Sequence, residues 1–363
     1  MAIGKRAGRF KVVLLHCLEL IVTPGVITPC VVGYWRGVWN LLNMYLFPNH
    51  PDISYIMSAL SGLALILVFG ITQNFHKRRF PFTTVRWHIY SRLYSFLMAF
   101  AFLNHWRGLW SLLNFYTSTS LSSTLSSLVI GTTSLVFLRG VKNVALIPSF
   151  VYRDHEDTVF DCSTRFNVNC SGETVKLKLL FIADLLVSFL FINSFVVFFW
   201  RGVWGTLDNL LLPHHKDMSS YASVVIGYGT FIACYLLQYP TQIASVNLAQ
   251  KPFPLHLLFE DVYMLVAGFG AVNIWRGLWY VYDLHILPEN FTISNVITAA
   301  VGTVILYLLL AGRCLGVCGC AVDGDRSDGS GILFSHFFGK LNEPLKPSEE
   351  QSNLADHGCS TVI

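Results

Sequence analysis

Residues 34–48 read YWRGVWNLLNMYLFP, and the pattern at their head returns three times. WRGVW stands at 35–39 and 200–204, and WRGLW at 106–110 and 275–279. Four copies of so rare a combination in one chain are an internal repeat, not coincidence. The register extends further. Seven residues beyond each motif arginine stands Asn43, Asn114, Asp208 or Asp283. Twelve beyond stands Pro48, Pro213 or Pro288, with Thr119 in the second copy. A glycine then recurs in the next apolar run, as Gly62, Gly131, Gly227 and Gly302.

Each motif ends one apolar run and precedes another. A helix needs about 20 mostly apolar residues to cross a bilayer. Eight segments qualify, roughly 12–34, 53–72, 88–106, 121–138, 177–199, 219–238, 256–275 and 293–312. Lipid gives the backbone no hydrogen-bond partners, and barrel-like alternation is missing, so the segments are predicted helices. Composition agrees: 53% of the 363 residues are hydrophobic and 13% charged. The expected fold is all-α, a polytopic membrane helical bundle of eight spans built from four parallel-oriented two-helix hairpin repeats. Two four-helix halves, 1–139 and 177–312, are joined by a cytoplasmic loop at 140–176. The cytoplasmic tail, 313–363, is expected to be largely disordered. No cleavable signal is evident, and the first apolar run is read as the insertion signal.

Charge fixes the expected direction. The short connections near 48–52, 117–120, 213–218 and 287–292 hold one lysine, Lys216. Twenty other Lys and Arg lie at the chain ends, in the alternate loops and, as Arg92 and Lys178, in the first turns of the spans that leave those loops, and four lie in the motif. The positive-inside rule places both termini in the cytoplasm. The sequon at Asn290 then falls outside and is a glycosylation candidate, whereas the one at Asn169 falls inside.

The motif itself admits two readings. Arg36, Arg107, Arg201 and Arg276 sit late in outward helices, where an arginine can snorkel and a lysine would substitute. Trp35, Trp39, Trp106, Trp110, Trp200, Trp204, Trp275 and Trp279 suit an interfacial belt or stacking on the guanidinium. Asn43, Asn114, Asp208 and Asp283 are the expected arginine partners across neighbouring repeats. The alternative is a ring of four arginines around a central anion path. A straight helix from Lys11 to Pro48 would be about 55 Å long, so a break or tilt is expected after WRG.

Other polar residues are weighed in the same way. Glu19, Asp184, Glu260 and Asp261 lie near the cytoplasmic ends of motif helices, as carboxylates facing lysines or as a proton relay. His214 and His215 form an exposed turn without metal spacing. No phosphate loop, HExxH, nucleophile elbow or CxxC set is present, so neither an enzyme nor a cofactor is expected. No metal ion or nucleic-acid partner is expected either. Cys314, Cys318 and Cys320 follow the last span and are palmitoylation candidates. Cys162 and Cys170 are expected to be thiols on the cytoplasmic side. Thr361 and Ile363 end the chain as a PDZ-ligand pattern that would recruit a scaffold.

The four WRGxW motifs, the eight apolar runs and the long middle loop resemble the Fuseless family of invertebrate membrane proteins over about residues 10–320. The resemblance implies a non-enzymatic multi-pass protein at a presynaptic or other plasma membrane. It further implies support of synaptic transmission and of calcium-channel organisation, with a calcium-channel complex as partner. The family has also been compared with solute transporters.

Overall fold

The computed structural model describes residues 13–80, 84–154, 159–168, 174–250, 253–316, 320–326 and 328–338. Its long helices are α1 (Val13–Tyr45) and α5 (Val175–Leu210), α2 (Pro51–Arg79), α3 (Val85–Thr117) and α4 (Leu121–Phe137), and α6 (Lys216–Ala249), α7 (Phe253–His285) and α8 (Phe291–Leu308). Among the described residues no β-strand forms. Six of these helices are long and apolar enough to cross a membrane. The sequence reading expected eight. The other two are α4, short at 17 residues, and α3, whose apolar run is diluted by Arg86, Arg92, Asn104, His105 and Arg107. Large apolar side chains such as Leu60, Val129, Val225 and Leu308 point outward, as on a surface solvated by lipid.

The closest packing lies between the helix that follows one motif and the helix that carries the next. The pairs are α2 with α3, α4 with α5, α6 with α7, and α8 with α1, which closes a ring. Glycine permits each approach. A methyl group on Gly202 of α5 would lie 2.5 Å from the Leu128 nitrogen, and one on Gly131 of α4 2.6 Å from the Phe199 nitrogen. Gly37 with Gly302, Gly108 with Gly62, and Gly277 with Gly227 occupy the corresponding places in the other pairs. Small residues let helix backbones meet where lipid supplies no hydrophobic drive.

The expected break after WRG does not occur. All four motif helices run on to the turn before Pro48, Thr119, Pro213 or Pro288. The turn residues ahead of them, Phe47, Ser118, Leu212 and Leu287, share a positive φ. α1 and α5 depart from α-geometry upstream instead, through π-turns at Thr23–Ile27 and Val187–Ile192. Pro24 in the first has no N–H for the ladder.

At the other end of the ring, two segments close the axis. Arg139 and Leu310 take positive φ after α4 and α8, and each leads into a 3₁₀ turn, Val141–Val144 and Gly312–Leu315. The two segments cap each other. The Asp154 carboxylate accepts from the Gly312 and Arg313 nitrogens at 3.0 and 2.8 Å, and its own N–H donates to Leu310. The Asp323 carboxylate accepts from the Val141 and Lys142 nitrogens at 2.5 and 2.8 Å, and its N–H donates to Arg139. Residues 320–326 and 328–338 of the tail, expected to be disordered, are therefore folded onto the bundle, with Ile332, Phe334 and Phe337 buried. Thr361 and Ile363 lie outside the described residues.

Candidate functional site

Helical spacing explains what the motif does. Residues four apart lie on one helix face, so Trp35 and Trp39 stack along the same side. The intervening Arg36 and Gly37 are turned about 100° and 200° away, toward the neighbouring helix. Repeated four times, this puts tryptophan on the axis and arginine in the seams.

The first tryptophans form a closed ring. Trp35–Trp106, Trp106–Trp200, Trp200–Trp275 and Trp275–Trp35 stand 5.5, 5.7, 5.3 and 5.5 Å apart, each pair near perpendicular. Trp39, Trp110, Trp204 and Trp279 form a second ring at 5.7–6.0 Å. Indole N–H groups of the first ring tie it to the closing segments: Trp200 donates to the Val144 carbonyl, Trp275 to Ile147 and Trp35 to Leu315. Trp106 donates to Asn193 Oδ1 at 3.0 Å. The tryptophans are thus neither an interfacial belt nor stacked on the arginines; the rings over the guanidinium groups of Arg36, Arg107 and Arg276 are Phe291, Tyr55 and Tyr280.

Each arginine is a buried staple. Arg36 Nε donates to Asp283 at 2.6 Å, Arg107 Nε to Asn43, Arg201 Nε to Asn114, and Arg276 Nε to Asp208, the last three at 2.9 Å. Every partner belongs to the preceding copy of the motif, with the fourth preceding the first. The terminal nitrogens reach a hydroxyl pair on the helix that follows that preceding copy: Ser294 and Thr298, Ser54 and Ser58, Ser123 and Ser127, Ser219 and Ser223. These hydroxyls were missed by sequence reasoning. Their signal is a Ser-x₃-Ser/Thr-x₃-Gly pattern ending on the recurring glycine. Buried charges need such complete pairing.

A cavity of about 520 Å³ lies between the rings, walled by all eight motif tryptophans and by Asn40, Asn114, Arg201, Asp208 and Tyr280. It reaches the exposed turn at Thr119. Of the four motif arginines, Arg201 alone is on this wall, which corrects the expectation of an arginine-lined path. A second cavity, about 440 Å³, lies toward the closing segments and shares Trp35 and Trp275 with the first. Lys142, Asp161 and Arg313 are on its wall.

The remaining candidates are placed as follows. Glu19 and Asp184 do not face lysines; Glu19 accepts from the Phe337 and Phe338 nitrogens at 2.9 and 3.0 Å, and Asp184 from Phe166 and Val168 at 2.9 and 3.1 Å. Gln73 and Gln238 likewise accept from Cys162 and Phe334. Glu260 accepts from Ser245, and Asp261 lies beside Asp323. Burial pushes the Asp323 carboxyl up to about 6, against the two N–H donors that it caps. Among the described residues no His, Cys, Asp and Glu group has metal-site geometry. Asn290 is exposed and accepts from the Ile293 nitrogen at the start of α8. Cys314 and Cys320 are buried, which removes them as palmitoylation sites in this fold. Cys162 is buried too. Cys318, Cys170 and Asn169 lie outside the described residues.

The Fuseless family model matches residues 14–315. No curated protein and no solved structure matches the chain.

Proposed function

The chain belongs to the Fuseless family, and from that membership and the site above we propose a non-enzymatic, eight-span membrane protein that organises partners at a presynaptic or other plasma membrane. In this reading α3 and α4 cross with the other six helices, the hairpins repeat in parallel, and both termini are cytoplasmic. The supporting observation is that the four arginines are spent on holding neighbouring helices together. A staple in which every guanidinium nitrogen already donates to the protein reads as a scaffold element rather than a transport residue. The axis is also closed at one end by two mutually capped segments. We further propose, on the family resemblance, that it supports synaptic transmission and calcium-channel organisation.

Topology and partnership are tested together. Tags at either terminus are accessible only after permeabilisation, while a tag in the 213–218 turn reacts on intact cells. Surface labelling of the amino terminus on intact cells would overturn the scheme. Affinity isolation of the full chain from nerve-terminal membranes recovers a voltage-gated calcium channel; unchanged channel clustering after loss of the chain sinks the organiser reading.

A second reading, a solute transporter or channel, draws on one feature: the two cavities lie on either side of Trp35 and Trp275 along the axis. It requires the closing segments to move. In this reading liposomes holding the chain show solute flux that a crosslink between the segments at 141–144 and 320–326 abolishes; no flux from the uncrosslinked chain counts against it.

A further inference from the structure

We propose that the eight-tryptophan cavity binds a small organic anion, a monocarboxylate on a compact apolar body. Its volume, about 520 Å³, falls in the ~300–1,000 Å³ range of small-molecule sites. Such sites combine apolar walls with a few placed polar groups. Here the polar groups and the charge point to the same ligand class.

The first observation is a set of unspent donors. An indole N–H donates and cannot accept. In the first ring all four indoles donate to the protein. In the second ring Trp204 donates to the Tyr280 hydroxyl at 3.2 Å. Trp39, Trp110 and Trp279 line the cavity with no acceptor for their N–H among the described residues, and none of these nitrogens is sealed in the interior. Asn114 adds a further donor to the wall. Arg201 Nε donates to Asn114 Oδ1 at 2.9 Å, which fixes the amide oxygen toward the guanidinium. The Asn114 NH₂ is then left without an acceptor among the described residues.

The second observation is a charge without a counter-ion. Arg36 and Arg276 are paired with Asp283 and Asp208. Arg201 is 1% exposed, and its acceptors are neutral oxygens of Asn114, Thr117, Ser118, Ser123 and Ser127. No carboxylate among the described residues stands within ion-pair distance of it. Hydrogen bonds satisfy the N–H groups but do not cancel the charge, and a low-dielectric wall screens it weakly. Asp208, the carboxylate on the same wall, accepts from Arg276 and Tyr280, so that pair adds no net charge. The wall therefore carries one uncompensated positive charge, which a single negative charge matches. Arg107, in the adjoining seam, also has neutral acceptors and adds to the same sign. A bare halide would leave most of the indole surface uncovered. A carboxylate sets its two oxygens among the N–H donors while its apolar body covers the rings.

This inference does not depend on the organiser reading. The intrinsic fluorescence of the full chain in phosphatidylcholine nanodiscs is titrated with sodium cyclohexanecarboxylate, the neutral isostere cyclohexanecarboxamide, cyclohexylammonium chloride and sodium chloride. A saturable change with the carboxylate alone is expected. Asn114→Asp gives Arg201 the carboxylate that Asp208 and Asp283 supply at the equivalent positions. This variant is expected to melt no lower than the parent and to lose affinity by roughly tenfold or more. Trp110→Phe keeps a ring and removes one N–H, and weakens binding several-fold. Trp87→Phe, outside the cavity, binds as the parent does. Melting temperatures separate misfolding from lost binding, and if Asn114→Asp fails to fold, Trp110→Phe decides. The proposal is overturned by no saturable response to the carboxylate, or by an equal response to the carboxamide, the ammonium salt or sodium chloride. It is equally overturned by folded Asn114→Asp or Trp110→Phe chains that bind the carboxylate as tightly as the parent.

Discussion

Arg107 shows at the scale of one residue why the motif contains arginine. Its Nε reaches Asn43, one terminal nitrogen reaches Ser58, and the other reaches Ser54 and the Leu42 carbonyl, so one side chain joins three parts of the chain. Lysine would carry the charge on a single nitrogen and could not span these acceptors. The expectation from snorkelling, that lysine substitutes freely, therefore changes. Arg107→Lys is expected to lose roughly 1–3 kcal/mol through the buried groups left unsatisfied, and Arg107→Leu more. Thermal unfolding in detergent and surface abundance in cells should rank parent, Lys and Leu in that order; a lysine variant equal to the parent contradicts the staple. The partner was legible, because Asn43 and its equivalents keep a fixed distance from the arginine. The hydroxyl pair was not, because neighbouring serines such as Ser61, Ser122, Ser126 and Ser220 crowd the same stretches of α2, α4 and α6, so the i, i+4 pairs do not stand out. The side to which tryptophan points was hidden as well: belt and axis demand the same residue type, and only helix contacts decide.

Between elements, stability rests on close contact and on capping. At Gly202 a methyl group meets the backbone of Leu128, which cannot rotate away. Gly202→Ala is expected to overpack α4 against α5 and cost about 1–3 kcal/mol. Gly229, on the exposed side of α6, has open space around it, and Gly229→Ala is expected to be neutral or to gain up to ~1 kcal/mol from helix propensity. Equal melting temperatures for the two variants would refute this account of the seams. The Asp323 cap adds a pH dependence. Its carboxyl, buried against that of Asp261, is raised above the ordinary range in the docked segment and returns to about 4 when released. The docked form thus binds the proton more tightly. Docking is strengthened as pH falls toward about 4 and weakened as pH rises through the raised range of the pair. Hydrogen exchange at Val141 and Lys142 should accelerate across that rise, and Asp323→Asn should flatten the profile. None of this was legible beforehand. Segment 320–331 is rich in Gly, Asp and Ser and reads locally as disorder, while the groups that hold the neighbouring stretch, Glu19 and Gln238, are far away in sequence.

For the whole molecule, the helical class, the apolar composition and the repeat of the motif could be read from spacing alone. The closure of the ring could not, because nothing in residues 13–45 records that they pack against 291–308. That closure has a consequence for how the protein is made. Arg36 enters the membrane among the first residues synthesised, yet its acceptors Asp283, Ser294 and Thr298 are among the last. Throughout translation the nascent chain carries an arginine without its native acceptors, which must snorkel to the outer interface instead. A chain that stalls before residue 283 never neutralises it. The seam that Arg36 makes can therefore form only in a chain whose fourth repeat is already in place, so the ring closes last.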